Sequence, residues 1–333
     1  MAYMPSQRYF YRCFSKTSAG ALRCGLARTG PPLSESDLLL HFEQHMISAS
    51  RNRTALVSTT DRPIEAIHRA FVKYYNLNER ADDIWIAIIS VPVGENKTLP
   101  CHRAEKLALK LGYRLEESKK FMHEYIFEWE IEHQYVKHMV SVETLLKRGL
   151  DLDTYLQNDR LPSLRGFRDL MIDMIVEPPA DGYSVGIELG RMARCFGARA
   201  PVEKIAHSLL RDCPTNIFVH NDGEYVTWKR SGAEPVDIDF EHIYWIQQGI
   251  DEALFDLWLA DIDFIEDRIT HAELANALTS EMEILWELYW EDVYFDAWDG
   301  VNSDSAADKA QKLRCREQEI HNQIERHAVS IGL

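Results

Sequence analysis

Residues 8–14 (RYFYRCF) interleave aromatic and polar side chains, the two-residue period of a strand with one buried face. The segment 15–32, rich in Gly, Ser and Pro, reads as a loop. Ser36 or Asp37 is then placed to cap a short helix through Leu38, Leu39, His41 and Phe42. Residues 54–60 (TALVSTT) form a short β-rich run, and Asp61-Arg62-Pro63 opens a helix, because proline in the first turn gives up an N–H that has no partner there. Along that helix Ile64, Ile67, Phe71 and Tyr74 recur at helical spacing, so one face is apolar and packs on a sheet. The run 84–91 (IWIAIISV), ended by Pro92, predicts a strand buried on both faces. A helix over 101–111 closed by Gly112, a polar stretch 114–120, strands over 124–131 (EYIFEWEI) and 136–142, and a helical turn over 144–149 complete this half.

The pattern changes after a boundary expected between Gly149 and Ser163. Helical spacing of apolar residues runs over 164–176, 202–211, 241–259, 271–290 and 306–328. A hairpin is expected at 216–229, where Asn221-Asp222-Gly223 is a turn signal flanked by His220, and 299–308 reads as a loop. Residues 1–150 are therefore expected to form an α+β domain and 151–333 a mainly helical one. Trp286, Trp290 and Trp298, with Tyr289 and Tyr294, are expected as core aromatics of the helical part. Asp261, Asp263, Glu266 and Asp267 alternate with Ile262, Phe264 and Ile265 at amphipathic spacing, which favours a solvated face over a metal site. His321 and His327 sit on a charged terminal helix.

Charge sharpens the division. The net charge of −16 splits into +4 over residues 1–150 and −20 over the rest. An acidic second half is not expected to grip a nucleic-acid backbone, since such binding depends on neutralising phosphates. Six cysteines without C-x-x-C spacing suggest reduced thiols rather than a disulfide frame or a zinc site. No run approaches the roughly 20 apolar residues of a membrane span, and residues 1–16 lack the apolar core of a signal peptide. A cytoplasmic or other intracellular location is expected, with secretion left open. Walker, G-x-G-x-x-G, HExxH and nucleophile-elbow motifs are absent from the sequence, which removes most familiar enzyme classes.

Chemistry enters through residues that look ordinary one at a time. Ser58-Thr59-Thr60 before Asp-Arg-Pro is alone a helix cap and turn. Glu124, Glu128, Glu130 and Glu132 are alone the solvated side of an edge strand. Their order, with Tyr11-Arg12 at a strand end and His41 between, resembles the catalytic subunit of the heat-labile enterotoxin and cholera toxin group of mono-ADP-ribosyltransferases. The resemblance covers roughly residues 8–145. It takes in Ala66 in the helix after Val57-Ser58-Thr59-Thr60, the strand ending in Pro92, and the spacing from Glu124 to Ile131 and Val136.

The resemblance implies a split pair of sheets with flanking helices and NAD⁺, as substrate, in the cleft between them. It implies Arg12 (with Tyr11) as the NAD⁺ anchor and His41 on the adenosine-side ribose. Ser58, within Ser58-Thr59-Thr60, braces the carboxylate, and Glu124 is the catalytic carboxylate. A guanidinium fork suits phosphate and ribose oxygens, and a carboxylate beside the ribose stabilises charge as nicotinamide leaves. No metal is called for. Enzymes of the group that modify arginine carry Glu-x-Glu, whereas this chain has Met122-His123-Glu124, so NAD⁺ hydrolysis or another acceptor, expected to be a protein, fits better than arginine. The group's Gly-Gly and Pro around the isoleucine are Trp129, Glu130 and Glu132 here. Glu128 and Glu130 also form an E-x-E, but choosing Glu130 would lose the downstream spacing. A catalytically inactive binding module of the same fold is the alternative.

Overall fold

The computed structural model describes residues 6–18, 20–26, 29–47, 53–93, 99–176, 181–220, 225–230, 234–298 and 303–330; the side chains at 6, 256–269, 292–298, 303–306 and 328–330 lie outside the described part. The chain divides into two compact units, Met1–Leu257 and Trp258–Leu333.

In the first unit six strands form one antiparallel sheet: β1 (Ser6–Phe14), β2 (Leu56–Thr60), β3 (Trp85–Val93), β4 (Cys101–Arg103), β5 (Glu124–Glu128) and β6 (Val136–Ser141), in the order β4-β5-β2-β1-β3-β6. Strand β1 pairs along its whole length with β3, from Ser6↔Val93 to Phe14↔Trp85. Its register with β2 is a single pair, Tyr11↔Thr60. The sheet is thus two halves, β4-β5-β2 and β1-β3-β6, joined at one point. Strand β3 is buried on both faces from Ile86 to Val91, as its nearly continuous apolar run, interrupted only by Ser90, predicts.

Helices α1 (Glu35–Met46), α2 (Pro63–Phe71), α3 (Ala104–Lys110), α4 (Leu115–Ser118) and α5 (Val142–Lys147) flank the sheet. Helix α2 starts at the proline, and Ile64, Ile67 and Phe71 sit in the core with Ile84, Ile86 and Ile88. The cap of α1 is Ser34, two residues before the earlier of the expected caps, its hydroxyl accepting from Asp37 N. Residues 101–103, expected as helix, pair with β5 instead, because a side-chain pattern cannot show a backbone ladder. Strand β5 stops at Glu128: Trp129 adopts φ 61° and turns the chain out of the ladder. That is the left-handed region glycine favours.

The rest of the first unit holds α6 (Leu164–Val176), α7 (Gly182–Arg194), α8 (Val202–Asp212), a small antiparallel sheet of β7 (Asn216–Val219), β8 (Tyr225–Lys229) and β9 (Val236–Asp239), and the start of α9 (Phe240–Trp298). The expected hairpin is β7–β8, its turn at 221–223 lying outside the described residues, and β9 is an unexpected third strand. Phe167, Met171, Leu189, Ile205, Leu209, Ile246 and Ile250 share one continuous core with Tyr11, Ile64 and Ile86. The expected boundary near residue 150 therefore does not separate two packed bodies; the compact units part at Leu257 instead.

In the second unit the remainder of α9 and α10 (Ser303–Ser330) meet through Leu278, Met282 and Ile320. The helices expected at 241–259 and 271–290 are one, since neither Gly nor Pro interrupts 250–298. Residues 303–308, expected as loop, belong to α10. Trp286 packs against the small core, but Trp290 is 61% exposed, which corrects its expected core role. The side chains of Tyr294, Trp298, Asp261, Asp263, Glu266 and Asp267 lie outside the described residues.

Candidate functional site

The seam between the two half-sheets fixes which side chains share a face. Directly opposite residues of an antiparallel pair point the same way, and neighbours along a strand alternate. The pairs Tyr11↔Thr60, Thr60↔Glu124 and Ser58↔Ile126 put Tyr11, Ser58, Thr60 and Glu124 on one face. Helix α1 packs on the β2–β5 part of that face, with Leu38 and Phe42 against Leu56 and Ile126. Arg12 follows Tyr11, so the pleat carries it to the other face with Arg8 and Phe10.

Arg12 nevertheless reaches into the split. Its Nη1 donates to Ser58 O at 2.6 Å, Nε to Ala21 O at 2.5 Å, and Nη2 to Gly20 O at 2.9 Å. It thus bonds a β2 carbonyl where β1 and β2 have parted, and ties the loop after β1 across the seam. Among the described residues no carboxylate pairs with it, and burial pulls its pKa down to about 10. Three of its five N–H groups are engaged, so two remain for a ligand.

The other expected residues divide. Tyr11 is buried in the core, and its hydroxyl has no hydrogen-bond partner among the described residues. Thr60 donates to Glu65 Oε2 at 3.0 Å and accepts from Arg62 N at 3.2 Å, acting at the entry of α2. Thr59 is also buried and donates to Tyr125 O at 3.1 Å. Ser58 is half-buried, and among the described residues no hydrogen bond joins it to Glu124. His41 lies on α1 with Nδ1 buried and unpartnered. The structure brings Ser58 and Glu124 to one face and Arg12 to the Ser58 backbone, and leaves the guanidinium and the Glu124 carboxylate on opposite faces.

Among the described residues the side chain nearest the Glu124 carboxylate is one the sequence pattern did not single out. His45, one turn after His41 on α1, stands with Nε2 3.8 Å from Glu124 Oε1 and Nδ1 3.5 Å from Thr54 Oγ1. The signal was the i, i+4 spacing of the two histidines, which puts them on one helix face. On the opposite face of the sheet, His123 Nδ1 meets Asp61 Oδ1 at 2.9 Å, and Asp61 Oδ2 lies 3.6 Å from Arg8. The Arg8 guanidinium stacks over Tyr125, 4.6 Å from its ring centre, and also bonds its hydroxyl. The E-x-E of Glu128 and Glu130 is spoken for structurally. Glu128 joins His102 Nε2 at 2.8 Å and accepts from Leu33 N at 2.6 Å, and Glu130 pairs with Arg23 at 3.1 Å.

Residues 5–145 match a family described as a domain of unknown function, DUF7587. The matched segment holds all six strands of the split sheet and ends inside α5. No curated protein and no solved structure matches the chain. Among the described residues no helix is long and apolar enough to cross a membrane. No cluster of three or more His, Cys, Asp or Glu side chains able to hold a metal ion occurs among them.

Proposed function

We propose that the split-sheet part of this chain cleaves the nicotinamide–ribose bond of NAD⁺, as an ADP-ribosyltransferase or an NAD⁺ glycohydrolase. One observation carries the reading: a sheet parted at a single register pair, with Ser58 and Glu124 on the same face beside that seam. Among the described residues Glu124 has only a long contact with His45, whereas the competing Glu128 and Glu130 are tied up in short ones. In the proposed reaction the bond from ribose C1′ to the pyridinium nitrogen breaks. Its electron pair goes to nicotinamide, and the Glu124 carboxylate stabilises the positive charge left on the sugar. Arg12, half-buried and without a carboxylate partner among the described residues, lies on the other face from Glu124, and its two remaining N–H groups would meet the anionic part of a dinucleotide that extends through the seam. Met122 in place of a second acid favours water or a non-arginine acceptor.

The experiment is release of free nicotinamide from NAD⁺ by the full chain and by Glu124→Gln. Cleavage by the wild type and a loss of about 10²-fold or more in the variant are expected. Equal rates would remove Glu124 from the chemistry. The engagement of three Arg12 donors by backbone carbonyls favours a second reading, a catalytically inactive binding module of the same architecture. Calorimetric binding of NAD⁺ without nicotinamide release would select it.

A further inference from the structure

A cavity of about 1160 Å³ opens outside the segment that matches the family, between the end of α5, the chain that follows it, α6 and α7. Drug-sized ligands occupy pockets of roughly 300–1,000 Å³, so there is room for a whole small molecule with some water. The second half of the chain carries −20, yet this cavity is lined by Arg148, Arg191 and Arg194 against only Glu188 and Asp151. Arg148 comes from the mildly basic first half and gives the lining one cation in excess, which marks the kind of ligand the cavity would attract.

The cationic wall is built. Arg148 Nη1 donates to Cys195 O at 3.0 Å, and its guanidinium occupies the space beside Gly197. A β-carbon on Gly197 would stand 2.7 Å from Nη1, and that glycine has φ +88°, so the residue type and the cation position are coupled. The Cys195 thiol stands 3.2 Å from both Arg148 O and Arg191 O and shares its single S–H between them, linking the ends of α5 and α7. Arg191 is partly neutralised by Glu188 at 2.6 Å. Among the described residues Arg148 pairs with no carboxylate. A bare guanidinium fork matches a carboxylate in two-point geometry. Beside it the lining is apolar and adaptable, with Leu150, Leu170, Met174 and Met192. Methionine fills irregular space with little strain and accepts variable apolar shapes.

We propose that this cavity binds a small amphipathic anion, a carboxylate carrying an apolar chain, with Arg148 anchoring the head group. The cavity is separate from the NAD⁺ reading and stands or falls without it.

The test is calorimetric titration of the full chain with decanoate, and with 1-decanol as the uncharged analogue. Decanoate is expected to bind at one site, and decanol at least about tenfold more weakly, since a charged hydrogen-bonded pair is worth a factor of ten or more. Arg148→Gln, at an exposed position where folding is checked by circular dichroism, is expected to weaken decanoate by about tenfold and leave decanol unchanged. Arg148→Lys is expected to recover part of the loss, because it keeps the charge and lacks the fork. No decanoate binding, equal affinity for the two probes, or an Arg148→Gln variant that binds as the wild type does would each overturn the proposal.

Discussion

At the scale of single residues, three uncomfortable atoms in the first unit are the Tyr11 hydroxyl, Arg62 Nε and Asp212 Oδ2. Each is buried, and none has a hydrogen-bond partner among the described residues. They feel one another: burial first and Asp212 second push the Tyr11 hydroxyl's pKa up, and burial pushes the Asp212 carboxyl up against the pull of Arg211 and Arg62. A buried polar group left unpaired costs about 1–3 kcal/mol. Tyr11→Phe is therefore expected to leave thermal stability unchanged or raise it by about 1 kcal/mol. A fall in melting temperature of several degrees would mean that the hydroxyl is bonded after all. The same variant separates fold from function, because a Tyr11 hydroxyl that contacts NAD⁺ would raise KM when removed. Asp212 makes a pH prediction. Its folded pKa lies above the ordinary aspartate value near 3.9, so the folded state holds the proton more tightly than the unfolded one. Its contribution to stability is full below that ordinary value and is lost as pH rises through the folded value. Asp212→Asn removes the loss, and equilibrium denaturation should show it at least as stable as the wild type at pH 7, with a shallower pH dependence above about pH 4. Destabilisation by more than about 1 kcal/mol at pH 7 would contradict this.

At the scale of elements, α7 teaches most. Gly182, Gly186 and Gly190 recur every four residues, so they line one helix face, and they meet α9 in turn at His242, at Ile246 with Gly249, and at Ala253. A β-carbon on Gly186 would stand 2.0 Å from Ile246 O, a backbone atom that cannot swing aside. Gly186→Ala gains about 1 kcal/mol of helix propensity and is expected to lose more, about 1–3 kcal/mol, to overpacking. Chemical denaturation should show a net loss, and a stabilised variant would mean that the two helices are not in contact there. The same glycines explain why α7 was not legible in the sequence: they depress propensity, and the helix exists because of what it packs against. Elements whose signal is local were readable. Strand β3 announces itself by a nearly continuous apolar run and α2 by Pro63 at its start, and α6 follows the expected bounds because its apolar spacing has no break. Strands β4 and β9 were not, because three or four polar-rich residues become strands only through a partner's ladder. At the proposed site, type and order could only single out Ser58 and Glu124 as candidates, whereas the face each occupies depends on register, which no side-chain pattern states. His45 was overlooked because a histidine four residues from another acquires meaning only once Glu124 is opposite it.

At the scale of the whole molecule, sequence family and packing draw different borders. The family match stops at residue 145, near the expected boundary, but the core of the first unit does not stop there. Ile64, Ile67, Ile86 and Leu145 lie in the same cluster as Phe167, Ile172, Leu189, Ile205 and Leu209 from α6, α7 and α8. Removing those helices would return a large apolar surface to water, at about 25 cal/mol for each Å² uncovered, against a total folding free energy of only about 5–15 kcal/mol. The guanidinium of Arg168 adds a polar link, donating at 2.9 Å to Cys213 O and 2.5 Å to Pro214 O just past the end of α8. A chain ending at Leu257 is therefore expected to unfold in one cooperative thermal transition with native near-ultraviolet dichroism. A chain ending at residue 150 is expected to lose that signal, keep part of its far-ultraviolet signal, and bind an apolar dye, the signature of a collapsed state without fixed packing. If the shorter chain instead melted cooperatively with its aromatic signal intact, α6 to α8 would be an appendage to a self-sufficient sheet. The NAD⁺ cleavage assay depends on that outcome, because a seam that relies on α6 to α8 for its packing must be assayed in a chain that retains them.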